Sequence, residues 1–410
     1  MPRINCFLLA ALLGFANLSA SAQPSTNAPA PASEPNLPLV FFEAKEPLTH
    51  DRKVPCTIKL TCPSGQTGCP TNTLFGLGRI HGGVSQGYPK KSFSFTLESP
   101  ARLLNLRSSA HWILNAAYVD HSLMRHKLSY DLYRALSTTN APRCAAASRF
   151  VEIQFNGRTN GVYLLMERVD RQLFGFHSFN SNDLDHACIY KAVDHAANFG
   201  HPGHGGYEQR EPDSEIHPYW QPLDEFNRFV SSSTREEFFD PKTGIASRLD
   251  LDNAIDFHLL VLLTCNTDGI TKNFIVARDA QTPGAPAPRF VFAPWDYDGT
   301  FGQDWGGRRL PASIWLSNHL FNRLQEDEAY REKFAARWNY LRDHEFSVKT
   351  IHALIDENAR TLGDAVRRNA ARWPEHGLSF AEDLAQMKSW TEERIKWLDQ
   401  RINQNPSRRR

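Results

Sequence analysis

Cys265-Asn-Thr-Asp268-Gly-Ile-Thr-Lys272-Asn273, followed by Phe274-Ile-Val-Ala277 and by Phe290-Val-Phe-Ala-Pro-Trp-Asp296-Tyr-Asp298-Gly-Thr300, decides how this chain is read. Asp252 to Thr264 has the apolar spacing of a buried helix and runs directly into Cys265. Two short apolar runs then read as strands on either side of the Pro- and Gly-rich stretch Gln281 to Pro288. A helix thus delivers Asp268, Asn273 opens a strand, and the returning strand ends on Asp296. Two carboxylates and an amide are predicted to converge. Hard oxygen donors of this kind suit Mg²⁺ or Mn²⁺ held together with phosphate oxygens.

The order Asp-x4-Asn, strand pair, Asp matches the order in which phosphoryl-transfer sites of the protein-kinase type present a catalytic Asp, a metal-binding Asn and a metal-binding Asp. Lys91 opens a strand beside the glycine-rich turn Gly76 to Gly87 and is a candidate phosphate contact.

Upstream, Leu39-Val-Phe-Phe42 and the alternating run Ser92 to Leu97 read as strands. Asp120 to Leu136 carries Leu123, Met124, Leu128, Leu132 and Leu136 at helical spacing, with Asp120 placed to cap the start. Phe150 to Phe155 and Gly161 to Met166 flank Asn156-Gly157, a hairpin signal. Gly200 to Pro212 reads as a surface loop, in which His201, His204 and Glu208 lack the fixed geometry of a metal site. From about Ser313 to Gln404 nearly everything reads as helix, with breaks near Asp343 to Ser347 and Pro374 to Leu378. Trp295 reads as core packing.

Several stretches in one order carry a resemblance. They are Gly82 to Phe93, Trp112 to Arg125, Asn160 to Asp170, Ile189-Tyr-Lys-Ala192, Asn266 to Asn273 and Pro294 to Gly302. Together they resemble the spore-coat CotH kinase family of atypical kinases. The resemblance implies an α+β, two-lobed protein-kinase-like fold, with a strand-rich N-terminal lobe (39–170) and a mainly helical C-terminal lobe (171–405). It implies binding of ATP with a divalent metal and phosphorylation of Ser or Thr on a partner protein. Carried over by position, Asp268 is the catalytic Asp, Asp296 and Asn273 hold metal, and Asp298 is a further ligand or its neighbour. Glu167 to Asp170 lies where a hinge would join the lobes, which puts Glu167 beside the nucleotide.

Two departures stand out. His81 occupies the place where the family usually has Arg, and the Asp120–Leu136 helix has no Glu to pair with a lysine. Asp131 and Arg125 are the charged residues left to test there, Lys91 is the first choice of phosphate lysine, and Lys191 is the second.

Composition sets the frame around this reading. The chain has 410 residues, 41% of them hydrophobic and 22% charged, enough to bury a sizeable core. Lys+Arg 46 against Asp+Glu 45 gives no global positive field for nucleic acid. Cys6 to Phe15 followed by Ala20-Ser-Ala22 has the pattern of an export signal over 1–22. No later run approaches the roughly 20 apolar residues a membrane span needs. A Pro/Ala-rich leader (23–38) and a basic tail (406–410) are expected to flank the fold. An exported destination makes disulfides plausible among six remaining cysteines, with Cys56, Cys62 and Cys69 clustered and the pairing open. That cluster lacks zinc-ligand spacing.

Two other readings fit parts of the same sequence. One is a catalytically silent kinase-like surface or adhesion module, with Ca²⁺ as a further candidate ion. The other takes Asp296-x-Asp298-Gly-Thr300 as a haloacid-dehalogenase-type nucleophile motif, which requires alternating strands and helices downstream.

Overall fold

The computed structural model describes residues 36–374 and 377–404. The expected export signal, most of the leader and the basic tail lie outside them. Strands come first: β1 (Leu39–Ala44), β2 (Val54–Thr61), β3 (Leu74–His81), β4 (Ser92–Ala101), β5 (Ser109–Asn115), β6 (Ser148–Phe155) and β7 (Arg158–Glu167). Alternation explains their packing, since Val54, Cys56, Ile58 and Leu60 of β2 point inward while the residues between them are partly or fully exposed. The seven strands close into a barrel in the order β1-β2-β3-β4-β5-β7-β6, because β1 pairs antiparallel with β2 and parallel with β6. Closure leaves no open edge in this sheet. Its interior is apolar, with Phe42, Phe93, Phe95 and Trp112 at the centre.

The β6–β7 hairpin turns through Asn156 (φ 47°) and Gly157 (φ 75°), the expected left-handed pair. The helix α1 (Arg125–Ala135) starts later than its pattern suggested. Asp120 does not cap it in the ordinary way. Its buried carboxylate accepts from Ser122 N, Arg125 N and Arg125 Nη1, so it serves as a counter-ion.

A second sheet, ordered β11-β10-β8-β9, is built from β8 (Cys188–Ala192), β9 (Tyr207–Glu211), β10 (Phe274–Arg278) and β11 (Val291–Pro294). β9 falls in the stretch expected to be loop: Tyr207 and Gln209 face inward, alternation that the surrounding Gly and His residues obscured. His204 pairs with Asp224 at 2.8 Å and stacks on Trp220. The remaining helices are α2 (Arg171–Phe174), α3 (Gln221–Ser232), α4 (Arg235–Phe238), α5 (Leu251–Thr264), α6 (His319–Leu324), α7 (Glu328–Asp343), α8 (Val348–Leu362), α9 (Ala365–Arg372) and α10 (Phe380–Asn403). α5 is almost wholly buried, and a large core joins it to the second sheet, α1 and the C-terminal helices. After Asp298 no strand occurs among the described residues, which removes the alternating pattern that the haloacid-dehalogenase reading needs.

The fold is therefore α+β with strands first and helices after. The described residues do not separate into two lobes as distinct units. A physical reason is the grip of the last helices on the barrel. Asn369 Oδ1 accepts from Val162 N and from the buried Lys90, Trp373 Nε1 donates to Asn160 O, and Arg368 pairs with Glu152 at 2.6 Å. The end of the presumed leader belongs to the fold too: Asn36 Nδ2 donates to Thr361 O and Leu362 O, and Leu37 is buried. Cys62 and Cys69 form a disulfide, while Cys56, Cys144, Cys188 and Cys265 are free. Among the described residues no helix is long and apolar enough to cross a membrane.

Candidate functional site

A cleft of about 650 Å³ opens between the barrel and the segment that links α5 to β11. Its floor is made by backbone geometry. Cys265 ends α5 in the left-handed region (φ 53°), which turns the chain sharply into Asn266 to Asp268. Asp268 O then accepts from Thr271 N and Lys272 N, a single turn that returns the chain to the sheet at Asn273. Asn273 (φ 57°) donates its N–H to Ala192 O and accepts from Trp295 N, so the end of β8, the start of β10 and the end of β11 meet there. Asp296 is also left-handed (φ 59°), and its N–H donates to Tyr130 Oη on α1.

The structure brings Asp268, Asn273, Asp296, Asp298, Lys191 and Glu167 to this one cleft. Lys91 is not among its lining residues, because its ammonium donates to Gln86 O on the barrel surface. Its neighbour Lys90 does line the cleft and is buried, donating to Val162 O at 2.5 Å and to Asn369 Oδ1 at 3.0 Å. Burial pushes its pKa down to about 7, against the pull of Asp120. Both residues precede β4, and their contacts separate them: the Lys90 ammonium turns to Val162 and Asn369, that of Lys91 back to Gln86.

Glu167 reaches the cleft wall, but both carboxylate oxygens hold backbone: Oε1 accepts from Arg107 N and Oε2 from Ala147 N. It braces the β7 end rather than presenting a free carboxylate. Asp131 is used on the outer side of α1 by Lys127 and Arg134, and Arg125 lies in a buried ion group with Asp120 and Asp383, both at 2.6 Å. Neither pairs with a cleft lysine.

Electrostatics concentrate at the acids. Burial raises the Asp296 pKa, with Lys191 opposing and Asp268 reinforcing. Burial raises that of Asp298 still further, with the charges of Asp296 and Asp120 adding to it. Both effects mark carboxylates in want of a cation. Lys191 stands over the Trp295 ring, 4.5 Å from its centroid, and burial together with the charge of Arg210 lowers its pKa to about 8. Asp268 is paired with Lys272 at 3.1 Å.

The donor set fits a divalent metal shared with phosphate. Two carboxylates two residues apart face the cleft with the Asn273 amide, which has no side-chain hydrogen bond among the described residues. No group of three or more His, Cys, Asp or Glu side chains is arranged to hold a metal among the described residues. That sparse set suits Mg²⁺, which takes one or two carboxylates plus substrate oxygens, better than the six to eight ligands of a Ca²⁺ cage.

Several cleft residues were not singled out from the sequence. Asn266 is buried and spans the floor, donating from Nδ2 to Asp296 O and accepting from Gly269 N at Oδ1. Its position inside the Asn266–Asn273 motif was the available signal. Tyr88 and Tyr118 stack at 5.2 Å in the cleft wall, and Trp295, read as core, is a wall residue as well. Gly82 (φ 107°) admits no side chain, since a Cβ there would meet Ser85 Oγ at 2.0 Å. Burial drives the His81 pKa down to about 3, aided by Lys191 and Arg79, so this residue faces the cleft as a neutral ring.

Known proteins resemble the chain to different degrees. Inner spore coat protein H of Bacillus subtilis (strain 168) is 28% identical over 260 residues, covering 60% of this chain and 65% of that protein. The chain thus spans less than two thirds of that relative's length. The solved complex of HipA, HipB and operator DNA from Shewanella oneidensis MR-1 aligns at 15% identity over 82% of this chain and 66% of that one, with a TM-score of 0.30. A family model described as CotH kinase protein matches residues 79–398. That match takes in the whole acidic floor, from the turn at Gly82 through Asp268 and Asp296 to the helices that brace the barrel, and the chain belongs to the CotH kinase protein family.

Proposed function

We propose that this protein is a metal-dependent protein kinase, transferring the γ-phosphate of ATP to Ser or Thr of an exported or cell-envelope protein. The observation that carries the reading is the convergence of Asp268, Asn273, Asp296, Asp298 and Lys191 on one cleft, within a member of the CotH kinase family. In this reading Asp296, Asp298 and Asn273 hold Mg²⁺ or Mn²⁺, which neutralises charge on the phosphates. Asp268 orients the acceptor hydroxyl and takes its proton as the new O–P bond forms and the bond to the ADP oxygen breaks. Its Lys272 partner keeps the carboxylate pointed along the turn. Lys191 contacts phosphate, and Lys90 stiffens the barrel side of the cleft in place of Lys91. Export is supported by the Cys62–Cys69 disulfide, which persists in oxidising compartments.

Incubation of the purified chain with labelled ATP, Mg²⁺ or Mn²⁺ and candidate envelope proteins tests this. Label is expected on an acceptor with the native chain and is lost with Asp268→Ala and with Asp296→Ala. Undiminished transfer by Asp268→Ala overturns the assignment. Absence of transfer, together with Ca²⁺ binding and no metal-dependent nucleotide binding, favours a silent surface module.

A further inference from the structure

The cleft continues beyond Lys191 and Trp295, which line a second, smaller chamber as well. One wall of that chamber is the outward face of the barrel, where Arg79, Ser94, Thr96 and His111 alternate with inward apolar residues. The other is Lys191, Arg210 and Ile275 of the second sheet. Lys53, Arg79, Arg168, Lys191 and Arg210 all line it, and no Asp or Glu does. They come from five separate points of a chain whose basic and acidic totals are 46 and 45, so the topology has gathered one sign of charge in one place.

A solvated surface cation needs no partner, but several around one concavity repel one another. Arg210 pairs with Glu208 at 2.9 Å, whereas Lys53, Arg79 and Arg168 have no carboxylate partner among the described residues. The nearest acids on the barrel side are engaged elsewhere: Asp170 with Arg107 and with Leu173 N, Glu167 with two backbone amides. The mutual repulsion appears in the directions of the pKa shifts. Burial and then Arg79 and Arg168 push Lys53 down; burial lowers Arg210 too, with Glu208 opposing and Arg168 and Arg79 adding to it. Burial and then Arg168 lower His111, with Asp170 opposing, which leaves two ring N–H groups, His81 and His111, as neutral donors beside the cations.

We propose that this chamber is a second phosphate site, gripping a phosphate-class dianion directly through the Arg79 and Arg168 guanidinium forks, with Lys53 and Arg210 completing the charge. Guanidinium groups match phosphate oxygens two at a time, so no metal is needed. The acids of the floor require a cation between themselves and any phosphate; the chamber does not. The site goes beyond the phosphotransfer reading and stands without it. Its dianion is either the polyphosphate chain of a nucleotide or the phosphate of an already phosphorylated acceptor residue.

The test is calorimetric titration of the full chain with inorganic pyrophosphate and, separately, with O-phosphoserine, both in EDTA. Pyrophosphate is expected to bind saturably and to weaken as salt is raised. Affinity is expected to fall about tenfold in Arg79→Gln and in Arg168→Gln, to be partly kept in Arg79→Lys, and to be unchanged in Asp268→Ala. Binding of pyrophosphate alone assigns the site to a nucleotide chain, and binding of phosphoserine as well assigns it to an acceptor. The proposal is overturned if neither probe binds in EDTA, or if both arginine-to-glutamine variants, shown folded by circular dichroism, bind as tightly as the native chain. Phosphotransfer with Mg²⁺ by a chain that binds no anion in EDTA would uphold the kinase reading and remove the chamber.

Discussion

The Asn266 side chain donates to the backbone carbonyl of Asp296 at 3.1 Å, while its own carbonyl accepts from Gly269 N at 2.9 Å. One amide therefore couples the turn that carries Asp268 to the strand end that carries Asp296. The two acids stand at a fixed separation because a third side chain, which need not touch substrate, spans them.

Replacing Asn266 by Ala strands a buried carbonyl and a buried amide N–H, costing roughly 1–3 kcal/mol. Urea unfolding checks that figure. Because the acids lose their common brace, label transfer is expected to drop further than stability alone explains, and more than tenfold at saturating ATP.

Asp298 is a half-buried carboxylate whose pKa is raised by desolvation and by the charges of Asp296 and Asp120. Asp298→Asn removes a repulsion, so the melting temperature at pH 7 in EDTA is expected to rise. The same variant is expected to lose the stabilisation that Mg²⁺ with ATP gives the native chain. Parallel thermal melts of both proteins, with and without ligand, decide this. A variant that gains nothing in EDTA sinks the repulsion argument.

Lys191 titrates near 8 in the fold, mainly through burial, against 10.5 for a free lysine. Between those values the unfolded chain binds more protons, so this group's contribution to stability rises with pH across the window. At pH 7 its charge is a cost. Lys191→Met is expected to melt at a higher temperature than the native chain at pH 7, with the difference shrinking as pH rises from about 8 to about 10. A constant difference over that range contradicts the assigned shift.

Arg125 is fully buried between Asp120 and Asp383 and also donates to Thr300 O. It ties α1 to α10 and to the loop after Asp298. Arg125→Met leaves two buried carboxylates without their counter-ion, a loss of about 3–5 kcal/mol. Chemical denaturation measures it. Partial recovery in the double variant Arg125→Met with Asp383→Leu would separate charge burial from lost packing.

The local elements could be read from residue patterns because their causes are local. Asn156-Gly157 dictates a left-handed turn whatever surrounds it, and the apolar run of α5 can only be a buried helix. Asp268, Asn273, Asp296 and Asp298 could be placed together because a helix, a turn and one hairpin carry them within one stretch of 31 residues. β9 was hidden by its Gly- and His-rich flanks, and Trp295 passed for core because an indole serves either purpose.

What the sequence determined by itself was this short-range geometry, together with the family motifs and the order of strands before helices. Only the tertiary structure decided which lysine enters the cleft. Lys90 and Lys91 are equivalent in composition and both precede β4, but the Lys90 ammonium is drawn inward by Asn369 on α9, 279 residues away, whereas that of Lys91 turns back to Gln86 O. The same holds for the closed barrel and for the basic chamber, where Lys53, Arg79, Arg168 and Arg210 meet only because strand pairing brings distant segments together. Charge in a sequence is a sum, whereas the field at a site depends on which of those charges the fold sets side by side.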